Sequence, residues 1–267
     1  MTNPDLPDFG LEDGPGGIVS LYSDGVPTVA YALVDAHGHV LRAFDAERVF
    51  YSASTVKLGV LIAALREVQS GAWSLEDELR VTHEFASIVP EAGRFVMDAE
   101  ETDPGLGSPG DIVSRAWVLN CMTTVSANCA TNMCFEALGP EKIAAVSRDA
   151  GSPETRMGRP YSDEAGLAAG ITNSASPVGL ARLMAALVRG ELLNAELTAY
   201  AMQLLHERDD PVISTVATRL AASRGWPVYT GGKGGSVDGI KHDVAFVQRD
   251  GETPILAVCT RASSVPQ

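Results

Sequence analysis

The sequence predicts an α/β fold in which one antiparallel sheet, built from both ends of the chain and flanked by helices, carries an inserted all-helical domain. Strand-like runs occur near the start, helical periodicity dominates the middle, and strand-like runs return near the end. One sheet completed by both ends fits this order. We expect a sheet domain of residues 1–46 plus 206–267 and a helical domain of residues 47–205.

The first elements are strands followed by a buried helix. Residues 17–22, 27–34 and 40–44 alternate or run apolar, and the cluster DAHGH before the third run is typical of a turn, so a hairpin or meander is predicted. From Thr55 the apolar residues recur with helical period over most of the circumference. We expect this helix to be central and buried.

The middle of the chain is predicted to be helices broken by loops, the longest loop covering residues 90–111. Asp111, and Ser176 before Pro177, are predicted to begin helices. The helical runs are 111–124, 127–138, 140–150, 177–190 and 194–205, and a shorter apolar pattern lies near 211–222. The final strand-like runs are PVYTGGKGGS, HDVAFVQRD and PILAVCTRA.

The composition and charge of the chain exclude some classes of function. The chain has 267 residues, 45% of them apolar, which is enough for a substantial core. Its net charge of -14 is spread along the sequence, so nucleic acid and anionic membranes are not expected as partners. No apolar run approaches the roughly 18 residues of a membrane-spanning helix, and the acidic start lacks the features of an export signal. We therefore expect a cytoplasmic protein.

Cysteine and histidine give no indication of a metal site. Three of the four cysteines lie close together in a helical pattern without paired metal-ligand spacing, and the five histidines form no metal motif. We expect the cysteines to be reduced and buried, and neither a metal nor another cofactor. The four are Cys121, Cys129, Cys134 and Cys259.

Three short stretches carry residues suited to nucleophilic catalysis. Ser54 and Lys57 open the first helix one turn apart, which puts them on one helical face with the serine near the positive end of the helix dipole. Ser126 and Asn128 lie in the sequence SAN between two helical runs. Each stretch alone has an ordinary explanation, such as a chance pair or a helix cap.

The third stretch is TGGKGGS on a late strand, where Lys233 is followed by Gly235 and Ser236. In this order and context the three stretches resemble the S-x-x-K, S-D-N and K-T-G boxes of class A beta-lactamases and penicillin-binding proteins. The resemblance covers nearly the whole chain, because the strand after the third box and the segment leading into Pro177 are also similar. It implies an active site between a sheet domain and a helical domain.

The resemblance also implies a role for each matching residue. Ser54 would be the nucleophile and Lys57 its base, since burial and a cationic neighbour such as Lys233 can lower a lysine pKa. Ser126 would relay a proton to the leaving nitrogen, and Asn128 would orient both the substrate amide and the lysine.

The resemblance further implies how the substrate is held. The backbone N–H groups of Ser54 and Ser236 would stabilise the oxyanion, and Lys233 with Ser236 would attract a substrate carboxylate. Gly235 completes the third box. The expected ligand is therefore a small molecule that carries a carboxylate, and the sequence leaves the oligomeric state open.

The sequence departs from the family pattern where class A enzymes carry the glutamate that activates the deacylating water. In TRMGRPYSDE, Arg156 and Arg159 match, but the place of the glutamate falls on Tyr161. Asp163 or Glu164 could replace it after a small shift, the alternative being solvated loop carboxylates. The other boxes read Ser-Ala-Asn and Lys-Gly-Gly, so a threonine hydroxyl that normally contacts the substrate carboxylate is missing.

We therefore expect a serine hydrolase that forms an ester on Ser54 with a lactam, amide or ester, and that turns over classical beta-lactams weakly or not at all. Tyr161 and Asp163 are the candidate residues for the deacylation step. Two alternatives remain open at this stage: a biosynthetic acyltransferase or cyclase in which an amine replaces water, and a non-catalytic binding module that keeps the cleft. Fold alone does not choose among them.

Overall fold

The computed structural model describes residues 18–97, 103–209 and 211–262, and its centre is a five-stranded antiparallel sheet. The strands are β3 (Thr28–Val34), β4 (Val40–Phe44), β11 (Tyr229–Val237), β12 (Ile240–Gln248) and β13 (Ile255–Arg261). Their order across the sheet is β11-β12-β13-β3-β4, so the last strand of the chain pairs with an early one. The predicted sheet made from both ends of the chain is confirmed.

Eight helices are present among the described residues. They are α1 (Lys57–Gln69), α2 (Arg115–Thr124), α3 (Asn128–Leu138), α4 (Pro140–Asp149), α5 (Glu164–Ala168), α6 (Pro177–Val188), α7 (Ala195–His206) and α8 (Val212–Ser223). Helix α1 is buried along its first nine residues because it packs against α2, α3, α4, α6 and α7. It is therefore the central helix that its apolar periodicity predicts.

Helices also cover the sheet. Helix α6 packs against β3, β12 and β13, whereas α8 packs against β11 and β12. The Ser176 side chain caps α6 by accepting a hydrogen bond from the Gly179 N–H, as predicted. The division into a sheet domain and a helical domain at residues 46 and 206 stays a prediction.

Short strands occur where the sequence predicts a loop and a helix start. They are β6 (Glu78–Arg80), β7 (Glu84–Ala86), β8 (Arg94–Val96) and β9 (Ile112–Ser114), paired as β6 with β9 and β7 with β8. The prediction that a helix begins at Asp111 is wrong, because residues 112–114 pair with β6. Helix α2 begins after Ser114, whose hydroxyl accepts the Trp117 N–H.

Two more strand pairs lie beside the Ser54 segment. An N-terminal hairpin joins β1 (Val19–Ser20) to β2 (Ser23–Asp24), and β5 (Phe50–Tyr51) pairs with β10 (Ser174–Ala175). All four cysteines are buried and free, as the sequence predicts. None of the helices that the described residues form is long and apolar enough to cross a membrane.

Candidate active site

Ser54 lies in a tight turn that connects β5 to α1. Residues Ala53–Val56 form a 3₁₀ turn, and Ala53 has a φ of 45°, a left-handed conformation that is strained for a residue with a Cβ. The turn is fixed from both sides, because the Ser52 N–H donates to the Asn173 carbonyl and the Thr55 hydroxyl donates to the Ser52 carbonyl. The Ser54 side chain is half-buried and faces a cavity.

Lys57 is buried, and its amine is surrounded by oxygen atoms. Its Nζ lies 2.5 Å from the Ser126 carbonyl oxygen, 2.7 Å from Asn128 Oδ1 and 3.2 Å from Ser126 Oγ. All three oxygens can accept hydrogen bonds from the amine, so these contacts fix the position of Nζ. Burial lowers the pKa of Lys57 well below its ordinary range, the Lys233 charge lowers it further, and Asp103 acts weakly in the opposite direction.

Ser126 connects the two lysines. Its Oγ lies 3.2 Å from Lys57 Nζ and 3.0 Å from Lys233 Nζ, so a proton can pass along a chain of three side chains. The residue has a φ of 64°, again left-handed, which brings both its carbonyl and its hydroxyl to Lys57. Burial lowers the pKa of Lys233 to about 7, with a further lowering by Arg208 and an opposing effect from Asp243.

Strand β11 approaches the Ser54 turn so closely that position 235 requires glycine. A Cβ on Gly235 would collide with the Ser54 backbone nitrogen and would lie 2.9 Å from the Thr55 nitrogen. The next residue, Ser236, is exposed and lines the same cavity as Ser54. The third box is thus placed against the first, as an oxyanion hole shared between them requires.

Arg208, which the sequence reasoning missed, occupies the place beside Gly234. A Cβ on Gly234 would collide with its guanidinium group, so a threonine in the third box has no room unless Arg208 moves. Arg208 Nη1 forms a buried ion pair with Asp243 at 2.6 Å, and the Asp243 carboxylate also accepts the backbone N–H groups of Val212 and Ile213 at the start of α8. The only sequence signal was the glycine that replaces threonine.

Tyr161 packs against Lys57 and Ser54. Its ring centroid lies 4.6 Å from Lys57 Nζ, and its hydroxyl donates to the Ala53 carbonyl at 2.8 Å and is also hydrogen-bonded to the Ser54 side chain. The Asn132 side chain accepts a hydrogen bond from the Tyr161 backbone N–H and donates one to the Tyr161 carbonyl, which fixes the backbone at this position. Burial raises the pKa of Tyr161, so the side chain is a neutral phenol.

Asp163 belongs to the framework of the loop. Its buried carboxylate caps α5 by accepting the Gly166 N–H, and it also accepts the Ser87 hydroxyl and the Ile88 N–H, both at 2.8 Å. These contacts direct it toward residues 87–88 and away from Lys57. Glu164, the other carboxylate considered, is exposed in the first turn of α5.

The structure therefore brings together most of the predicted residues. Lys57, Ser126, Asn128 and Lys233 form one hydrogen-bonded group. Tyr161 lies between this group and Ser54, because its ring packs on Lys57 Nζ and its hydroxyl is hydrogen-bonded to Ser54, and Gly235 lies against the Ser54 turn. The group opens into a cavity of about 700 Å³. Within the described residues no cluster of His, Cys, Asp or Glu could hold a metal ion.

Comparison with solved structures finds proteins of similar fold. A beta-lactamase from Sphaerobacter thermophilus has a similar fold, with a TM-score of 0.71 at 22% identity over 90% of this chain and 84% of that one. PBP-A gives 0.68 at 22% identity over 88% and 81%. A beta-lactamase from Xanthomonas campestris gives 0.68 at 19% identity over 89% and 84%.

A point mutant of PBP-A, whose structure is an acyl-enzyme complex with penicillin G, is also similar, with a TM-score of 0.67 at 21% identity over 88% of this chain and 81% of that one. No curated protein matches the sequence. The model of the beta-lactamase enzyme family matches residues 19–267, from the first strand to the end of the sequence. Because this match covers nearly the whole chain and the fold is shared, the chain belongs to the beta-lactamase enzyme family, within the beta-lactamase-like serine hydrolase superfamily.

Proposed function

We propose that this chain is a serine enzyme that becomes acylated on Ser54 by a lactam, amide or ester and releases the acyl group slowly to water. The observation that carries the proposal is Tyr161, a neutral phenol packed on Lys57 and Ser54 where class A enzymes have a glutamate. The acylating group of residues is complete, whereas a carboxylate that would activate water is missing from its contacts among the described residues.

Acylation begins with a proton transfer. The neutral Lys57 amine takes the Ser54 proton as Oγ attacks the carbonyl carbon of the substrate, and the backbone N–H groups of Ser54 and Ser236 stabilise the oxyanion. When the C–N bond breaks, the Ser126 hydroxyl gives its proton to the leaving nitrogen and takes one back from Lys57. The product of this step is an ester on Ser54.

Substrate orientation follows from the polar groups on the other side of Ser54. Asn128 Oδ1 faces Lys57, so its amide N–H₂ is left to donate to a substrate carbonyl. Lys233, with Ser236 beside it, supplies the charge for a substrate carboxylate. Arg208 reaches the same strand at Gly234, where the threonine hydroxyl is missing, but its charge is paired with Asp243.

Release of the acyl group is the step that Tyr161 changes. A neutral phenol whose proton is held by the Ala53 carbonyl is a weak base for activating water. Water is therefore a poor acceptor at this site. This favours a second possibility, a biosynthetic acyltransferase or cyclase in which a bound amine, which needs less activation than water, takes the acyl group.

The first experiment tests acylation. Intact-protein mass spectrometry after exposure to benzylpenicillin or an acylphosphonate is expected to show one adduct, placed on Ser54 by peptide mapping. The Ser54→Ala variant is the control and should give none. A folded wild-type protein that gives no adduct with any electrophile would refute the proposal and favour the non-catalytic binding module.

The second experiment tests release. In Tyr161→Glu the adduct should disappear faster, by a factor of about 100 or more, because a carboxylate base contributes on this order to proton transfer. Tyr161→Gln is the matched control, since it has the same size as glutamate but is no base. Rapid steady-state hydrolysis by the wild type would contradict the role given to Tyr161. The cytoplasmic location stays a prediction for cell fractionation.

A further inference from the structure

A buried cation without an acidic partner lies at one end of the cavity. Arg159 is 3% exposed, and none of the described carboxylates forms an ion pair with it. Its Nη1 donates to the carbonyls of Pro160 and Asp163 at 3.2 and 3.3 Å, and its Nε has no hydrogen-bond partner among the described residues. Burying an unpaired charge costs several kcal/mol in general, and a bound anion would offset this cost.

The guanidinium group contacts the N-terminal hairpin, which forms part of the cavity wall. Arg159 Nη2 donates to the Tyr22 hydroxyl at 2.9 Å, and the Tyr22 ring is stacked on Tyr51 with centroids 3.7 Å apart. Arg159, Tyr22 and Tyr51 all line the cavity that contains Ser54. Nε and Nη2 lie on the same edge of a guanidinium group, the edge that binds a carboxylate through two parallel hydrogen bonds.

Two carboxylates also line this cavity, and neither neutralises Arg159. Asp163 is occupied by Ser87, Ile88 and Gly166, and only its backbone carbonyl contacts the guanidinium. Glu164 is exposed, where solvent screens its charge. Aromatic side chains, Tyr22, Tyr51 and Tyr161, line the cavity together with Arg159 and Ser54, so they can contact an acyl chain carried by Ser54.

From these observations we infer that Arg159 is a specificity-determining residue, which binds a carboxylate at the far end of the substrate's acyl chain. This inference rests on the proposed function, because it names the class of acyl donor for Ser54. The substrate is then a dianion, with one carboxylate near Lys233 and a second beside Arg159, Tyr22 and Tyr51. A chain with a net charge of -14 repels anions at long range, so such local cations are what makes the binding selective.

Binding is tested first without catalysis. Calorimetry on the Ser54→Ala protein is expected to show binding of glutarate and none of glutaramide, its neutral analogue. Adding Arg159→Gln should weaken the glutarate affinity about tenfold or more, as the loss of a charge-assisted pair predicts. Arg156→Gln, the same change at an exposed arginine of the same loop, is the control and should have no effect. Equal glutarate affinity in all three proteins, or no binding to the first, would overturn the inference.

Catalysis is tested with a matched pair of penicillins. Carbenicillin differs from benzylpenicillin by one carboxylate on the acyl side chain, so the ratio of their acylation rates reports the contribution of Arg159. We expect this ratio to exceed one in the wild type and to fall about tenfold in Arg159→Gln. If that variant does not fold, Arg159→Lys is used instead. It keeps the positive charge but lacks the paired N–H donors of the guanidinium group, so it should lower the ratio several-fold. An unchanged ratio in the folded variant contradicts the inference.

The two proposals fail in different ways. If neither penicillin acylates Ser54, the proposed function fails, but glutarate binding to Ser54→Ala still decides whether Arg159 binds carboxylates. If acylation occurs and glutarate does not bind, only the inference about Arg159 fails.

Discussion

The two walls that meet at Ser54 use their polar groups in different ways. On one wall, formed by α1, β11 and the segment between α2 and α3, Ser126 contacts both Lys57 and Lys233, and all three side chains can exchange protons. On the wall formed by the loop before α6, Tyr161 and Asp163 are tied to the backbone of the protein. Under the proposed function, proton transfer is concentrated on the first wall, here called the acylating wall, whereas the loop wall supplies shape and, at Arg159, charge.

The largest effect is expected on the acylating wall. Lys57→Met removes the base while keeping an unbranched side chain in the buried site, so acylation of Ser54 should slow by about 100- to 10,000-fold. The rate is measured by intact-protein mass spectrometry under single-turnover conditions. Lys142→Met, which changes a surface lysine, is the control. A Lys57→Met protein that acylates at the normal rate would place the base elsewhere.

The next effect tests the approach of β11 to the nucleophile. Gly235→Ala must displace either the strand or the Ser54 turn, because the new Cβ meets backbone nitrogen atoms. We expect acylation to slow by about 100-fold, the usual loss for one oxyanion donor. Gly234→Ala is the neighbouring control, since its Cβ meets the end of the Arg208 side chain, and its effect should be clearly smaller. Equal losses in both variants would contradict this interpretation of the strand.

A third prediction concerns the loop wall. Asp163→Ala leaves three donors without their acceptor, so the free energy of unfolding should fall by about 2 kcal/mol or more while acylation and release stay near normal. Urea unfolding measures the loss. Glu164→Ala, at the exposed neighbour, should change stability by less than about 0.5 kcal/mol. A stable Asp163→Ala protein that acylates but no longer releases its adduct would instead identify Asp163 as the base.

The smallest effect is a pH dependence of stability that we expect from Lys233, a residue of the acylating wall. The pKa of Lys233 is about 7 in the folded chain and near its ordinary value of 10.5 after unfolding. Between these two pH values the unfolded chain binds more protons than the folded chain. The contribution of Lys233 to the free energy of unfolding is therefore fully present above pH 10.5 and is lost as the pH falls toward 7. Thermal unfolding between pH 7 and 8.5 should show a smaller rise with pH in Lys233→Met than in the wild type. Identical slopes would mean that Lys233 keeps an ordinary pKa.

The same contrast explains what could be predicted from the sequence. Ser54 and Lys57 are one helical turn apart, and the other boxes have short spacings of their own, so their chemistry is visible in local patterns. The antiparallel sheet is predictable for a similar reason, because its strands are long runs with recognisable alternation.

The features that the sequence did not predict depend on contacts between distant segments of the chain. Arg208 matters only because β11 passes beside it at Gly234, and Tyr22 only because the hairpin folds back onto Arg159. The helix start at Asp111 was wrong because three residues pair with β6 instead, a choice made by tertiary pairing and not by local propensity. Asp163 has the residue type of a base, and only its neighbours show that it caps α5.

The contact between Gly235 and the Ser54 turn has a consequence for the order in which the protein is made. Ser54 and Lys57 are synthesised before β11, the strand that completes their surroundings, and before β12 and β13, which connect β11 to β3 in the sheet. A chain synthesised only as far as α8 would therefore hold Ser54 and Lys57 without Lys233 and Ser236. Under the proposed function, Ser54 is expected to become reactive only after β11 is in place, so a shorter chain would be protected from premature acylation.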